Sequence, residues 1–140
     1  MINLLINPDE EFTINFVVAQ DKRGKIYIDN NLSDLKQMLS TIGIEYEIEE
    51  HSAIFKKPNF KDIVDMTETI YGSAEGNIGI NPIKNRYRKV IKLIKSWTIK
   101  DEQGKTVEAE EINIDKLNPV VAQFIIDLVD AETGGIMGIS

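Results

Sequence analysis

The 140-residue chain contains no cysteine, and no window approaches the roughly 20 consecutive apolar residues of a membrane-spanning helix. The missing cysteine excludes disulfides, iron–sulfur clusters, thiolate zinc sites and thiol nucleophiles, and it fits a reducing compartment. The amino-terminal stretch has no basic region, and its apolar run is too short for a signal peptide. We therefore expect a cytoplasmic protein with no membrane partner.

Histidine is almost as scarce, since His51 is the only one. One imidazole without partners at a known spacing predicts neither a metal ligand nor a general base. The glutamates at 45, 47 and 49 lie along one side of a predicted strand, whereas glycosidases need two carboxyl groups facing each other across a cleft. The glycine-rich stretch 72–79 lacks the Gly-Lys-Ser/Thr ending of a phosphate-binding loop. We expect no catalytic residue, no metal and no cofactor, and so a protein that is not an enzyme.

Charge is unevenly distributed, although 42% apolar and 28% charged residues are ordinary for one globular domain. Residues 1–100 are neutral overall, and the net charge of −7 arises in residues 101–140, which hold nine acidic side chains and two lysines. Seven basic residues and no acid lie between Lys84 and Lys100. Two interpretations stay open. The basic and acidic segments neutralise each other within the fold, or one of them is a docking face whose charge selects a partner.

The front of the chain has the pattern of an antiparallel sheet. β-Branched and aromatic residues predict a strand over 12–19, followed by a turn at 21–24 and a returning strand at 25–28. Alternating apolar and acidic residues at 44–48 predict a half-buried strand with a solvated acidic face. The stretch 52–55 is a candidate extension of this sheet.

Helical spacing and capping residues predict four helices, over 33–42, 61–70, 82–96 and 119–130. Ser33 is the predicted N-cap of the first helix and Gly43 its left-handed C-cap. Asn81-Pro82 and Asn118-Pro119 are start signals for the third and fourth. The last helix is apolar almost all round, which is typical of burial on more than one side.

The predicted fold is therefore α+β, with a small N-terminal antiparallel sheet, made of a hairpin plus strands, and about four helices, the last strongly apolar. We expect a single domain over 1–131, β-rich in 1–57 and helical in 58–131. A flexible apolar tail is predicted over 132–140.

Several groups of residues are candidates for binding a partner or a second copy of the chain. The basic helix could suit a nucleic acid, but its aromatic residues fall on the predicted apolar stripe, and a pI near 4.8 disfavours a polyanion. Docking on an acidic protein surface remains open, and so does a homo-oligomer. The candidate partner-binding residues are Phe124, Ile125 and Leu128 in the last helix, Ile136, Met137 and Ile139 in the tail, and Arg88, Lys92 and Lys95 in the basic helix.

The order of motifs in the back half resembles one family. A helix ends in a tryptophan at 93–97, an acidic turn with the sequence Asp-Glu-x-Gly follows at 101–104, and Leu117-Asn118-Pro119 leads into the last helix. A basic-Pro-x-hydrophobic entry stands upstream, at 55–61. Over roughly residues 55–130 the chain is similar to small tail-assembly chaperones and related tail-morphogenesis proteins of bacteriophages.

The resemblance implies a non-enzymatic protein that coats the tape-measure protein or binds tail subunits and keeps them soluble until the tail polymerises. Its partners would be other phage tail proteins. Two alternatives stay open: a structural component of the virion in the tail, neck or baseplate, and a small cytosolic regulatory or accessory protein with no phage connection.

Overall fold

A computed structural model describes residues 1–72 and 82–134, without the side chains at 67–72 and 82. Its elements, in chain order, are β1 (Glu11–Asp21), β2 (Ile26–Asp29), α1 (Leu32–Ile42), β3 (Tyr46–Lys56), α2 (Phe60–Gly72), α3 (Pro82–Leu93), β4 (Ile94–Trp97), α4 (Glu111–Ile114) and α5 (Pro119–Thr133). The predicted α+β fold with an antiparallel sheet is confirmed.

The sheet has the strand order β2-β1-β3-β4 and is antiparallel throughout. β1 and β3 pair along all 11 residues of each strand. The outer strands are much shorter, because β2 pairs only with Val17–Gln20 of β1 and β4 pairs with Ala53–Phe55 of β3. A long central pair is therefore flanked by strands that each cover only part of its edge.

The two faces of the sheet carry separate apolar clusters. Ile14 and Phe16 of β1 belong to the larger cluster, together with Phe55, Trp97 and buried residues of α3 and α5. On the opposite face, Val17 and Ala19 pack with two buried leucines of α1. Alternation along β1 produces this division, because successive side chains of a strand point to opposite faces.

The helix predicted over 82–96 ends at Leu93, and the chain continues directly into β4. Ile94 and Trp97 are three residues apart, a spacing that fits the predicted apolar helix stripe. Their backbone pairs with β3, whose outer hydrogen-bonding groups would otherwise lack a strand partner. One strand of the sheet therefore comes from the region 58–131 that we predicted to be helical.

The observed helix ends agree with the predicted ends at two sites and differ from them at others. Gly43 ends α1 with φ of 75°, as predicted, and the Asn118 side chain accepts a hydrogen bond from the Val120 N–H, with Pro119 at the first helical position. The N-cap of α1 is Asn31 rather than Ser33, because the helix begins at Leu32 and the Asn31 side chain accepts from the Asp34 N–H at 3.0 Å. The predicted cap at Asn81 lies outside the described residues.

The last helix also ends later than predicted. α5 continues to Thr133 and Gly134 ends it with φ of 71°, so the first two residues of the tail predicted over 132–140 are helical. Residues 135–140 lie outside the described part of the chain. Across the described ranges, no helix has the length and apolar character needed to cross a membrane.

Candidate protein-binding surface

The apolar candidates on α5 differ in their access to solvent. Ile125 is only 2% exposed and belongs to the larger core, so it offers no surface to a partner. Phe124 and Leu128 are half-buried and pack against the same core. Ile136, Met137 and Ile139 lie outside the described residues. The outer side of α5 therefore presents only part of the apolar surface that its sequence predicts.

The basic segment is largely paired with acids. Lys92 lies 3.6 Å from the Asp65 carboxylate, and Lys95 lies 2.7 Å from that of Glu11. Arg88 is half-buried. These contacts agree with the interpretation that the basic charge is neutralised within the fold, although both acids come from the front of the chain rather than from residues 101–140.

A buried ion pair, which the sequence did not predict, joins α3 to α5. The Lys89 side chain has no exposed surface, and its Nζ donates to Asp130 Oδ1 at 3.0 Å and to Thr133 Oγ1 at 2.8 Å. Arg86 lies against the other oxygen of Asp130, at 3.3 Å. Asp130 is thus one member of the acidic segment that does neutralise the basic one. Because Asp130 lies 41 residues from Lys89 in the sequence, no local pattern indicates the contact.

An apolar groove lies between α3 and α5, with a volume of about 270 Å³. Trp97 forms part of its wall and donates from Nε1 to the Val107 carbonyl at 2.6 Å. At the rim, the Tyr87 hydroxyl donates to Asp115, and this hydrogen bond, together with burial, raises the pKa of Tyr87 to about 12. The hydroxyl therefore stays protonated even at pH 10, and its hydrogen bond holds α3 against the segment after α4.

His51 has structural contacts. Its Nδ1 lies 3.0 Å from Thr98 Oγ1, its Nε2 lies 2.9 Å from Glu49, and its ring stacks on Phe16. The side chain therefore joins β3 to the residue that follows β4. Among the described residues, no group of three or more histidine and acidic side chains is placed to hold a metal ion.

A cluster of highly exposed apolar residues precedes the first strand. We call residues 1–7 the N-terminal arm. Met1, Ile2, Leu4 and Leu5 are at least 76% exposed, and the arm contains no charged side chain. We did not predict it as a binding element, because we considered this run only as a signal peptide. The sequence feature that could have indicated a separate arm is Pro8, which separates the apolar run from β1.

No protein-family model matches this chain, and neither a curated protein nor a solved structure does.

Proposed function

We propose that this protein is a non-enzymatic protein-binding factor in bacteriophage tail assembly, which keeps a tail or tape-measure subunit soluble until it polymerises. The observation that supports the proposal is the N-terminal arm, where four large apolar side chains stand exposed within five residues. Concentrated apolar surface of this kind marks interaction sites in proteins.

The charge of the chain suits the same task. A net charge of −7 keeps a complex dispersed by repulsion between particles, while the uncharged arm can contact an apolar client. The α3–α5 groove adds a second apolar surface, about 270 Å³ in volume. Both features fit binding to a client that exposes apolar helices before assembly.

Coexpression with the tape-measure protein encoded in the same genome tests the proposal. We expect the tape-measure protein to be soluble with the wild-type chain and to aggregate with the Leu4→Asp/Leu5→Asp variant, because two charges in the arm disfavour apolar contact. Gln37→Asp/Ser40→Asp adds the same two charges at exposed positions of α1 and should behave as wild type. Equal aggregation with and without the chain would contradict the proposal.

Mass spectrometry of purified particles separates this role from that of a structural component. A chaperone leaves its client before the tail is complete, so we expect the chain to be absent from particles. Its presence at a fixed stoichiometry would instead support a tail, neck or baseplate subunit. If the chain neither solubilises a tail protein nor enters particles, the regulatory or accessory alternative remains.

A further inference from the structure

β1 has an edge that, among residues 1–72 and 82–134, no strand covers along its first half. The strand begins at Glu11, but β2 pairs only with Val17–Gln20. Residues 11–16 therefore have β3 on one side and, within the described chain, no strand on the other. An unpaired edge of this kind is a template for strand addition.

The register identifies which backbone groups point outward. The Glu10 carbonyl accepts from the Lys57 N–H at 2.9 Å, so residue 10 faces β3. Facing directions alternate along an antiparallel strand. The backbone groups of Glu11, Thr13 and Asn15 therefore point away from β3, and no described residue hydrogen-bonds to them. Each of the three residues offers one N–H and one C=O.

The N-terminal arm has the alternation that this edge requires. Ile2, Leu4 and Ile6 are apolar, and they alternate with two asparagines, Asn3 and Asn7, and with Leu5, which interrupts the polar set. On β1, the even-numbered residues 12–16 face the larger core, while Thr13 and Asn15 are exposed on the other face. An added strand can thus extend the apolar face and the polar face together.

We propose that the N-terminal arm of one copy adds as an antiparallel strand to the open edge of β1 in a second copy. The register that matches both faces pairs Ile6 with Phe12, Leu4 with Ile14 and Ile2 with Phe16, and places Asn7, Leu5 and Asn3 opposite Glu11, Thr13 and Asn15. This contact gives strand partners to the outward backbone groups of Thr13 and Asn15, and it brings Ile2, Leu4 and Ile6 beside the apolar residues of β1. The contact uses the same arm as the proposed client contact, so a client and a second copy would compete for it.

The arm of the same copy is a poorer occupant. The Glu10 N–H bonds to the Asn7 carbonyl at 3.1 Å, which closes a turn over Pro8 and Asp9, yet no backbone hydrogen bond joins residues 1–7 to β1 of the same copy. Returning along its own β1 would require a three-residue hairpin loop whose last residue, Glu10, adopts a positive φ. Such a conformation is unfavourable for a non-glycine residue. The arm of a second copy requires no such turn.

A mixed-copy crosslink tests the contact. One preparation carries Leu5→Cys and the other Thr13→Cys, in a chain that has no other cysteine. Residues in a hydrogen-bonded antiparallel pair have Cα atoms about 5.5 Å apart, which is within the range for a disulfide. We expect mild oxidation of the mixture to give a covalent dimer that reduction reverses. Mixing Leu5→Cys with Lys36→Cys, on exposed α1, is the matched control.

Crosslinking no greater than in the control would overturn the proposal. So would a Leu5→Cys/Thr13→Cys double variant that closes its disulfide within one chain and remains monomeric, since the arm would then occupy its own edge. Light scattering gives a second readout. We expect wild-type protein to reach at least twice the 15.8 kDa chain mass, and Leu4→Asp/Leu5→Asp to remain at 15.8 kDa. Wild-type protein that stays at 15.8 kDa would contradict the contact without bearing on client solubility.

Discussion

At the residue scale, Lys89 is the clearest case of a side chain whose role depends on the tertiary structure. It is fully buried, and its ammonium group is compensated by Asp130 and Thr133. A buried charge persists only when a partner and hydrogen bonds replace the water that it has lost. In the sequence, Lys89 is one of the seven basic residues from 84 to 100, and only the packing of α3 on α5 reveals its burial.

We predict that Lys89→Met lowers the free energy of unfolding by about 2–4 kcal/mol, because Asp130 loses its buried partner. The loss stays below the upper range for buried pairs, since Arg86 still contacts Asp130. Adding Asp130→Leu to the Lys89→Met variant should recover most of the lost free energy of unfolding, because it removes the uncompensated carboxylate. Urea unfolding of both variants measures this. A double variant as unstable as the single one would contradict the assignment.

Asp62 gives a pH prediction. Burial raises the pKa of its carboxyl, but hydrogen bonds from Lys56 and from the Asn59 N–H outweigh burial, so the pKa is lowered from 3.8. A carboxyl with a lowered pKa stabilises the fold above its unfolded-state value, and this contribution is lost as pH falls through the folded value.

We therefore predict that Asp62→Asn lowers the free energy of unfolding at pH 7 by about 1–3 kcal/mol. The difference from wild type should shrink as pH falls from the unfolded-state pKa through the lower folded-state pKa, where the wild-type carboxyl becomes protonated. Denaturant unfolding at several pH values measures both effects. A difference that stays constant down to pH 2 would show that charge plays no part in the contact.

At the element scale, local patterns predicted those elements whose signals are local. β1, β2, the Gly43 cap of α1 and the Asn118-Pro119 start of α5 all follow from residue types that act within a turn or a strand. β4 does not, because Ile94 and Trp97 suit a helix stripe as well as a strand, and the choice depends on the partly uncovered edge of β3. The short helix α4 gave no periodicity to detect.

The open edge of β1 makes an element-scale prediction. Thr13→Pro removes an N–H that donates no hydrogen bond to any described residue, so the monomer should stay folded. The same change removes a hydrogen-bond donor that an added strand needs, so strand addition should be blocked. Thr13→Ala keeps the N–H and should keep the assembly. Circular dichroism and light scattering of both variants report fold and mass. If proline and alanine had the same effect on mass, the edge would not be the binding element.

At the scale of the whole molecule, the binding surface was only partly predictable. The sequence indicated an apolar last helix, yet packing buries Ile125 within it. The arm was visible as an apolar run, but its significance depends on an edge whose extent is decided by where β2 ends, beside Val17. Within the described part of one copy, neither the arm nor this edge of β1 has a strand partner, and in the proposed contact each becomes the partner of the other.

Amide hydrogen exchange in β1 is the most direct test of whether the N-terminal arm of a second copy pairs with the open edge of β1. In concentrated wild-type protein we expect the Thr13 and Asn15 amides to exchange slowly, because a second copy accepts their hydrogen bonds. In Leu4→Asp/Leu5→Asp they should exchange rapidly, while the Phe12 and Ile14 amides, which face β3, stay slow in both. Rapid exchange at Thr13 and Asn15 in wild-type protein at every concentration would contradict binding through this edge.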